Sequence, residues 1–280
     1  MIPVALILAT PDAATPLPAA AGCPSRPATA PSPVYSCLNA TSRLTITAPS
    51  LPLTVRWEDY VPRYIESVRE RSFVQIGGNC GTNTRACGQA GDPVWEYATR
   101  CGWTGVVLEP SVATFEKLCA NYAPHARVRP LNAAASNRSG SARLMTRLDR
   151  LSEASRLSWN PMGRFWKQRL AGGPSETVRM LSLHDLWAQL PWLSERAEVD
   201  VLVIDAEGEE KTILGGALPS PAPRLIFYEH KHLKDRHVHA IEENLARQGF
   251  ERIAEIPHIA ARNGAKHRGD MLYGRLRAAV

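Results

Sequence analysis

Gly77, Asn79 and Gly81 form a G-x-N-x-G turn directly behind the apolar run Phe73-Val-Gln-Ile76, and Glu109 closes a second run, Gly105-Val-Val-Leu108. Glycines let a ligand come close to the backbone, and a carboxylate at the next strand end accepts hydrogen bonds from a ribose diol. In an open α/β sheet this pair makes a nucleoside pocket. The dinucleotide fingerprint G-x-G-x-x-G is not met, because Asn79 takes the place of the second glycine and the third is missing. Asp205 ends a third run, Val199-Asp-Val-Leu-Val-Ile204, and so reaches the carboxyl edge where such sheets hold ligands. Glu207 either joins it there or only favours the dipole of the helix that follows. His230, His232, His237 and His239 lie close together in sequence but lack the spacing of a metal framework. They read as exposed histidines with at most one catalytic member, His230, and no metal site is expected.

Alternating strands and helices must position these groups. Strands are expected at 73–76, 105–108, near 128–132, at 199–204 and at 225–228; 73–76, an apolar run broken by one Gln, is of the kind buried at the centre of a parallel sheet. Asp92-Pro93 opens the first helix as cap and first-turn proline; Val94, Ala98 and Cys101 form its inner face, and Gly102 stops it. Ser111 caps the next, with Val112, Phe115, Leu118, Cys119 and Tyr122 facing inward. Residues 136–140 read as a turn into a returning strand at 141–145. A helix at 209–214 follows Asp205, and Val238, Ile241 and Leu245 line another that Gly249 ends. Segments 250–256 and 271–276 are expected to close the sheet as an antiparallel pair.

The chain has 280 residues, 44% hydrophobic and 21% charged, enough for one sizeable core. No apolar run approaches the roughly 18–20 residues of a membrane span. The net charge of +6 is dispersed and does not indicate a nucleic-acid partner. Residues 1–53 hold ten of the 22 prolines and only three charged side chains, Asp12, Arg26 and Arg43. Such a segment is expected to be disordered, and it admits a transit-peptide or weak signal-peptide reading without deciding localisation. The sequons at Asn39 and Asn137 matter only if the chain is secreted. Residues 144–179 read as an insertion with seven Arg/Lys against three Asp/Glu, carrying Trp159, Phe165 and Trp166. That composition suits either a flap that stacks on a sugar or anionic acceptor, or a surface helix burying its Trp side chains. Cys101 and Cys119 are expected to be reduced and structural, with no functional disulfide at Cys80 and Cys87.

From about residue 55 to 277 the chain resembles the FkbM-type methyltransferase family. The resemblance rests on blocks in order: Phe73-Val-Gln-Ile-Gly-Gly-Asn-Cys-Gly81 with Asp92-Pro93, Gly102-Trp-Thr-Gly-Val-Val-Leu-Glu-Pro110, Leu131-Asn-Ala-Ala-Ala135, Asp205-Ala-Glu-Gly-Glu-Glu210 and Tyr228-Glu-His-Lys-His-Leu233. It implies a class I methyltransferase fold over residues 54–280: a Rossmann-like three-layer α/β sandwich around a seven-stranded, mostly parallel sheet with one antiparallel strand. It also implies S-adenosylmethionine as methyl donor and a hydroxyl of a carbohydrate or small metabolite as acceptor. Cys80 departs from the Asp usual at its position, which puts the methionine end of the pocket in question.

On this resemblance Gln75, Gly77, Asn79 and Gly81 line the methionine portion, Glu109 holds the ribose, and Ser111 and Ala133 border the adenine. Asp205 orients the sulfonium and the acceptor or takes a hydroxyl proton, with Glu207 and His230 as further candidates for the base. Two other readings stay open at this point, a nicotinamide oxidoreductase on a similar sheet and a binding module without catalysis. The acceptor's identity and the oligomeric state are not set by the sequence.

Overall fold

A computed structural model describes residues 71–82, 92–145, 156–157, 175–190, 199–259 and 266–275. Segment 1–53 and the aromatic centre of the 144–179 stretch, with Trp159, Phe165 and Trp166, lie outside the described residues. The strands of the main sheet are β1 (Ser72–Ile76), β2 (Thr104–Leu108), β3 (Val128–Leu131), β8 (Val199–Ile204), β9 (Pro223–Glu229), β10 (Glu251–Ile259) and β11 (Lys266–Gly274). They run in the order β10-β11-β9-β8-β1-β2-β3. β1 pairs in parallel with both β2 and β8, and β11 is antiparallel to both of its neighbours. The expected seven strands with one reversed are therefore present.

Alternation along the strands separates two cores. Val74, Ile76, Val106, Leu108, Leu202, Ile204, Ile226 and Tyr228 share one face with Leu186, Ile213, Ile241 and Leu245. Those last four come from α3 (Leu183–Ala188), α4 (Glu210–Ile213) and α5 (Asp235–Arg247). Phe73, Val107, Val201, Val203, Leu225 and Phe227 face the other way, onto α1 (Trp95–Arg100) and α2 (Val112–Tyr122). A side-chain period of two on strands covered on both sides gives the three-layer sandwich.

A smaller sheet departs from the sequence reading. β4 (Ala134–Ser136) and β5 (Gly140–Met145) do not pair with each other; β7 (Ser175–Ser182) lies between them, parallel to β4 and antiparallel to β5. The two-residue β6 (Arg156–Leu157) completes this sheet beside β5. Residues 175–179 thus belong to a framework strand, not to an insertion. β7 escapes sequence reading because Ser175, Glu176, Thr177 and Arg179 interrupt its apolar pattern; only its later residues are buried.

Two helix details also differ. Asp92 accepts from the backbone N–H of Val94 at 2.8 Å and Trp95 at 2.9 Å, so it caps the turn that leads into α1. In α2, Val112 is 47% exposed while Thr114 is buried, which shifts the inward face by part of a turn. Cys119 is half-buried on that helix and, like Cys80, is disulfide-bonded; Cys101 is buried and takes part in no disulfide. The expectations of a reduced Cys119 and of no disulfide at Cys80 are both corrected: a position at the edge of the helix face leaves the Cys119 sulfur within reach of a partner, whereas Cys101 is sealed in the core.

Candidate active site

The site forms where β1, β2, β8 and β9 end. Gly77 and Gly78 both donate to the carbonyl of Leu108, at 3.0 and 2.9 Å, which sets the turn against the end of β2. A Cβ on Gly77 would lie 1.8 Å from the Asp205 carbonyl oxygen, and one on Gly78 2.0 Å from Val107 Cγ1. At Gly81 it would lie 2.4 Å from the Tyr122 ring. Chain packing therefore already requires these glycines, independently of any ligand.

Glu109 is buried beneath this turn. Its Oε2 accepts from the Asn79 backbone N–H at 3.0 Å and its Oε1 from that of Ser111 at 3.0 Å. Asn132 secures the strand end by donating to the carbonyls of Glu109 and Pro110, both at 2.9 Å. Burial first, then Glu176 and Asp205 nearby, pushes the Glu109 carboxyl up to about 8, against the two backbone N–H groups. Ala133 is buried next to Asn132. Gln75 donates to Asp92 Oδ2 at 3.3 Å, and its Oε1 is buried without a hydrogen-bond partner among the described residues. Asp92 is itself buried, with its carboxyl held above the ordinary carboxylate range by burial.

Asp205 follows β8, its N–H donating to the Ile76 carbonyl at 2.9 Å, so the first and third runs end side by side. Asp205 Oδ1 is buried and has no hydrogen-bond partner among the described residues. Burial, then the charge of Glu207, raises its carboxyl to about 6 despite Lys231. Glu207 sits at φ +50°, in the left-handed region that a side chain seldom adopts, which turns the chain sharply before α4. Glu210 holds that turn from below, its Oε1 accepting from Ala206 at 2.8 Å and Gly208 at 3.2 Å.

The structure places His230 and His232 differently from expectation. His230 is buried, 3% exposed, with Nε2 3.6 Å from Glu255 on β10. The Leu233 N–H donates to the His230 carbonyl, a turn that folds the chain back and sets His232 Nε2 2.9 Å from Glu207 Oε2. Glu229 ends β9 beside them and binds Lys231 through Oε1. Glu229, Lys231, His232 and Asp92, which the sequence reading does not bring here, thus stand beside the candidate residues. Glu229 reads as the last residue of a strand and Asp92 as a helix cap, and neither spacing tells which strand end it will meet.

A model of the Methyltransferase FkbM domain matches residues 79–252. The chain belongs to the FkbM methyltransferase family. Its methyl donor is S-adenosylmethionine, and among the readings left open the nicotinamide oxidoreductase falls away. Solved structures with a similar course include the pre-rRNA-processing fibrillarin of Methanococcus jannaschii (12% identity over 74% of this chain and 67% of that one, TM-score 0.40). Aeropyrum pernix fibrillarin with natively bound S-adenosyl-L-methionine gives 10%, 74%, 67% and 0.38. The human methyltransferase 10 domain containing protein gives 11%, 81%, 84% and 0.36. Overlap at this level does not bear on this FkbM methyltransferase's substrate. No curated protein matches the chain. No helix among the described residues is long and apolar enough to cross a membrane.

Proposed function

We propose that this FkbM methyltransferase transfers a methyl group to a hydroxyl of a carbohydrate or small metabolite. The supporting observation is the pair of buried acceptor atoms without hydrogen-bond partners among the described residues, Gln75 Oε1 on the strand before the glycine turn and Asp205 Oδ1 on the residue packed against Gly77. A buried, unsatisfied acceptor costs free energy unless a ligand engages it. S-adenosylmethionine brings an ammonium donor and a sulfonium charge, which suit such groups. It supplies, when bound, an electrophilic methyl on a good leaving group.

Glu109 fits the nucleoside end. Each carboxylate oxygen spends one lone pair on a backbone N–H and keeps another for a ribose hydroxyl. On the acceptor side Asp205 is suited to take the hydroxyl proton: with its carboxyl at about 6 it is ionised at neutral pH yet basic enough to accept one. The acceptor oxygen then bonds to the methyl carbon, and the carbon–sulfur pair stays on sulfur. Asp205, Glu207 and Glu229 give this end an acidic character, which favours a neutral, hydroxylated acceptor over a polyphosphate such as RNA. The disulfide-bonded Cys80 and Cys119 support folding in an oxidising compartment.

The test is transfer of isotope-labelled methyl groups from the donor to panels of sugars, hydroxylated metabolites and RNA, with Glu109→Ala as control. Label in a hydroxylated small molecule, lost in the variant, is expected. Donor binding with no transfer to any extract fraction would favour the binding module, and label confined to RNA would overturn the acceptor class.

A further inference from the structure

We propose that Glu207, Glu229 and His232 form a divalent-cation site at the acceptor end of the sheet, with Asp205 beside it. One ligand atom from each of the three residues lies within 4.8 Å of the others, although they come from the turn after β8, the end of β9 and the turn that follows it. The separations match the edges of a coordination sphere. Around a cation with bonds of about 2.1 Å, neighbouring donors stand about 3.0 Å apart and opposite ones about 4.2 Å. His232 Nε2 is 2.9 Å from Glu207 Oε2 and 3.9 Å from Glu229 Oε2.

Three further observations favour a shared cation over a simple ion pair. Glu207 Oε2 is buried and makes no hydrogen bond with a described residue, so its 2.9 Å approach to the imidazole lacks hydrogen-bond alignment. Glu229 is 5% exposed, and Lys231 binds its Oε1, which leaves Oε2 on the side of His232. Asp205 stands next to this group, its carboxyl in contact with that of Glu229, and its Oδ1 is buried. Three carboxylates gathered in this way, one buried and two half-buried, favour a counter-charge beyond one lysine. One imidazole with two or three carboxylate oxygens, open to water or an acceptor oxygen on the remaining side, suits a first-row ion such as Mn2+. Such an ion would bind the acceptor hydroxyl and lower its pKa. That role rests on the methyltransferase reading; the cation site itself does not.

The full chain, stripped of metal, is titrated with Mn2+ by calorimetry and followed by the electron paramagnetic resonance of the free ion. One ion per chain is expected, with affinity lowered at least tenfold in His232→Asn and Glu207→Gln and unchanged in His239→Ala, whose ring pairs with Glu242 on the exposed side of α5. Glu229→Gln is added where it folds. Absence of a stoichiometric site, or one insensitive to His232→Asn and Glu207→Gln, overturns the proposal. So does full methyl transfer in chelator combined with loss of turnover in His232→Asn, which would make Glu207 and His232 a proton-handling pair. Donor binding is measured in parallel on the metal-free chain. If the donor binds and Mn2+ does not, the cation site fails while the methyltransferase reading stands, and the converse result separates them in the other direction.

Discussion

Replacing Glu109 with Gln is the sharpest probe of the nucleoside end. The carboxylate offers about four acceptor positions, of which the Asn79 and Ser111 N–H groups use two. Glutamine keeps the shape but exchanges one oxygen for an NH2 group, so two of the four acceptor positions are lost, one facing a backbone N–H and one facing the ribose. A hydrogen bond to a charged group contributes about 1.5–3 kcal/mol. Donor affinity should therefore fall by about 10- to 150-fold.

The pH dependence is a second signature. In the free protein the Glu109 carboxyl is raised to about 8, whereas ribose hydroxyls favour its ionised form. Binding below that pH must expel a proton, so wild-type affinity should climb from pH 6 to about 8, by up to tenfold per unit, and then level off. The variant should lack the slope. Calorimetry at pH 6, 7, 8 and 9, in buffers of differing ionisation heat, reads both affinity and proton release, with circular dichroism reporting on the fold. Equal affinity in the two proteins, or a slope that survives in the variant, would refute the assignment of Glu109 to the ribose.

Asp205→Asn should lower turnover by a larger factor than donor affinity and remove an acid limb near pH 6, where the wild-type carboxyl becomes protonated and stops accepting; an unaltered kcat profile would eliminate it as the base. Gly77→Ala places a Cβ on the Asp205 carbonyl at a backbone φ of +79°, so the chain should lose donor binding and several degrees of melting temperature; a wild-type melt would contradict the packing account. Glu210, raised to about 8 by burial, favours a protonated fold, so its contribution is present at low pH and is lost as pH rises through 8. Glu210→Gln should flatten the decline in stability between pH 5 and 8, and an unchanged slope in urea titrations would remove Glu210 as its source. Alkylation and mass spectrometry of the native protein should find Cys80 and Cys119 in disulfides and Cys101 unmodified; alkylated Cys119 would count against the bonded state.

The sequence determined the order of the elements that matter most. Runs such as 73–76, 105–108 and 199–204 are apolar on both faces, and only a central parallel strand buries both. Glu109 and Asp205 were legible because each ends such a run, and a run's end is fixed by local pattern. β7 was not legible: it is an inner strand of the second sheet, yet its first residues are exposed or half-buried and polar, and they carry no signal of the strands on either side. The meeting of Glu207, Glu229 and His232, and the turning of His230 toward β10, were likewise decided only in three dimensions. β8 and β9 are parallel neighbours separated by a helix, so their ends converge through sheet hydrogen bonding that no spacing along the chain encodes. The glycines show the same division. Their positions are plain in the sequence, but only the folded chain shows that the Asp205 carbonyl and the Val107 side chain already fill the space a Cβ would need.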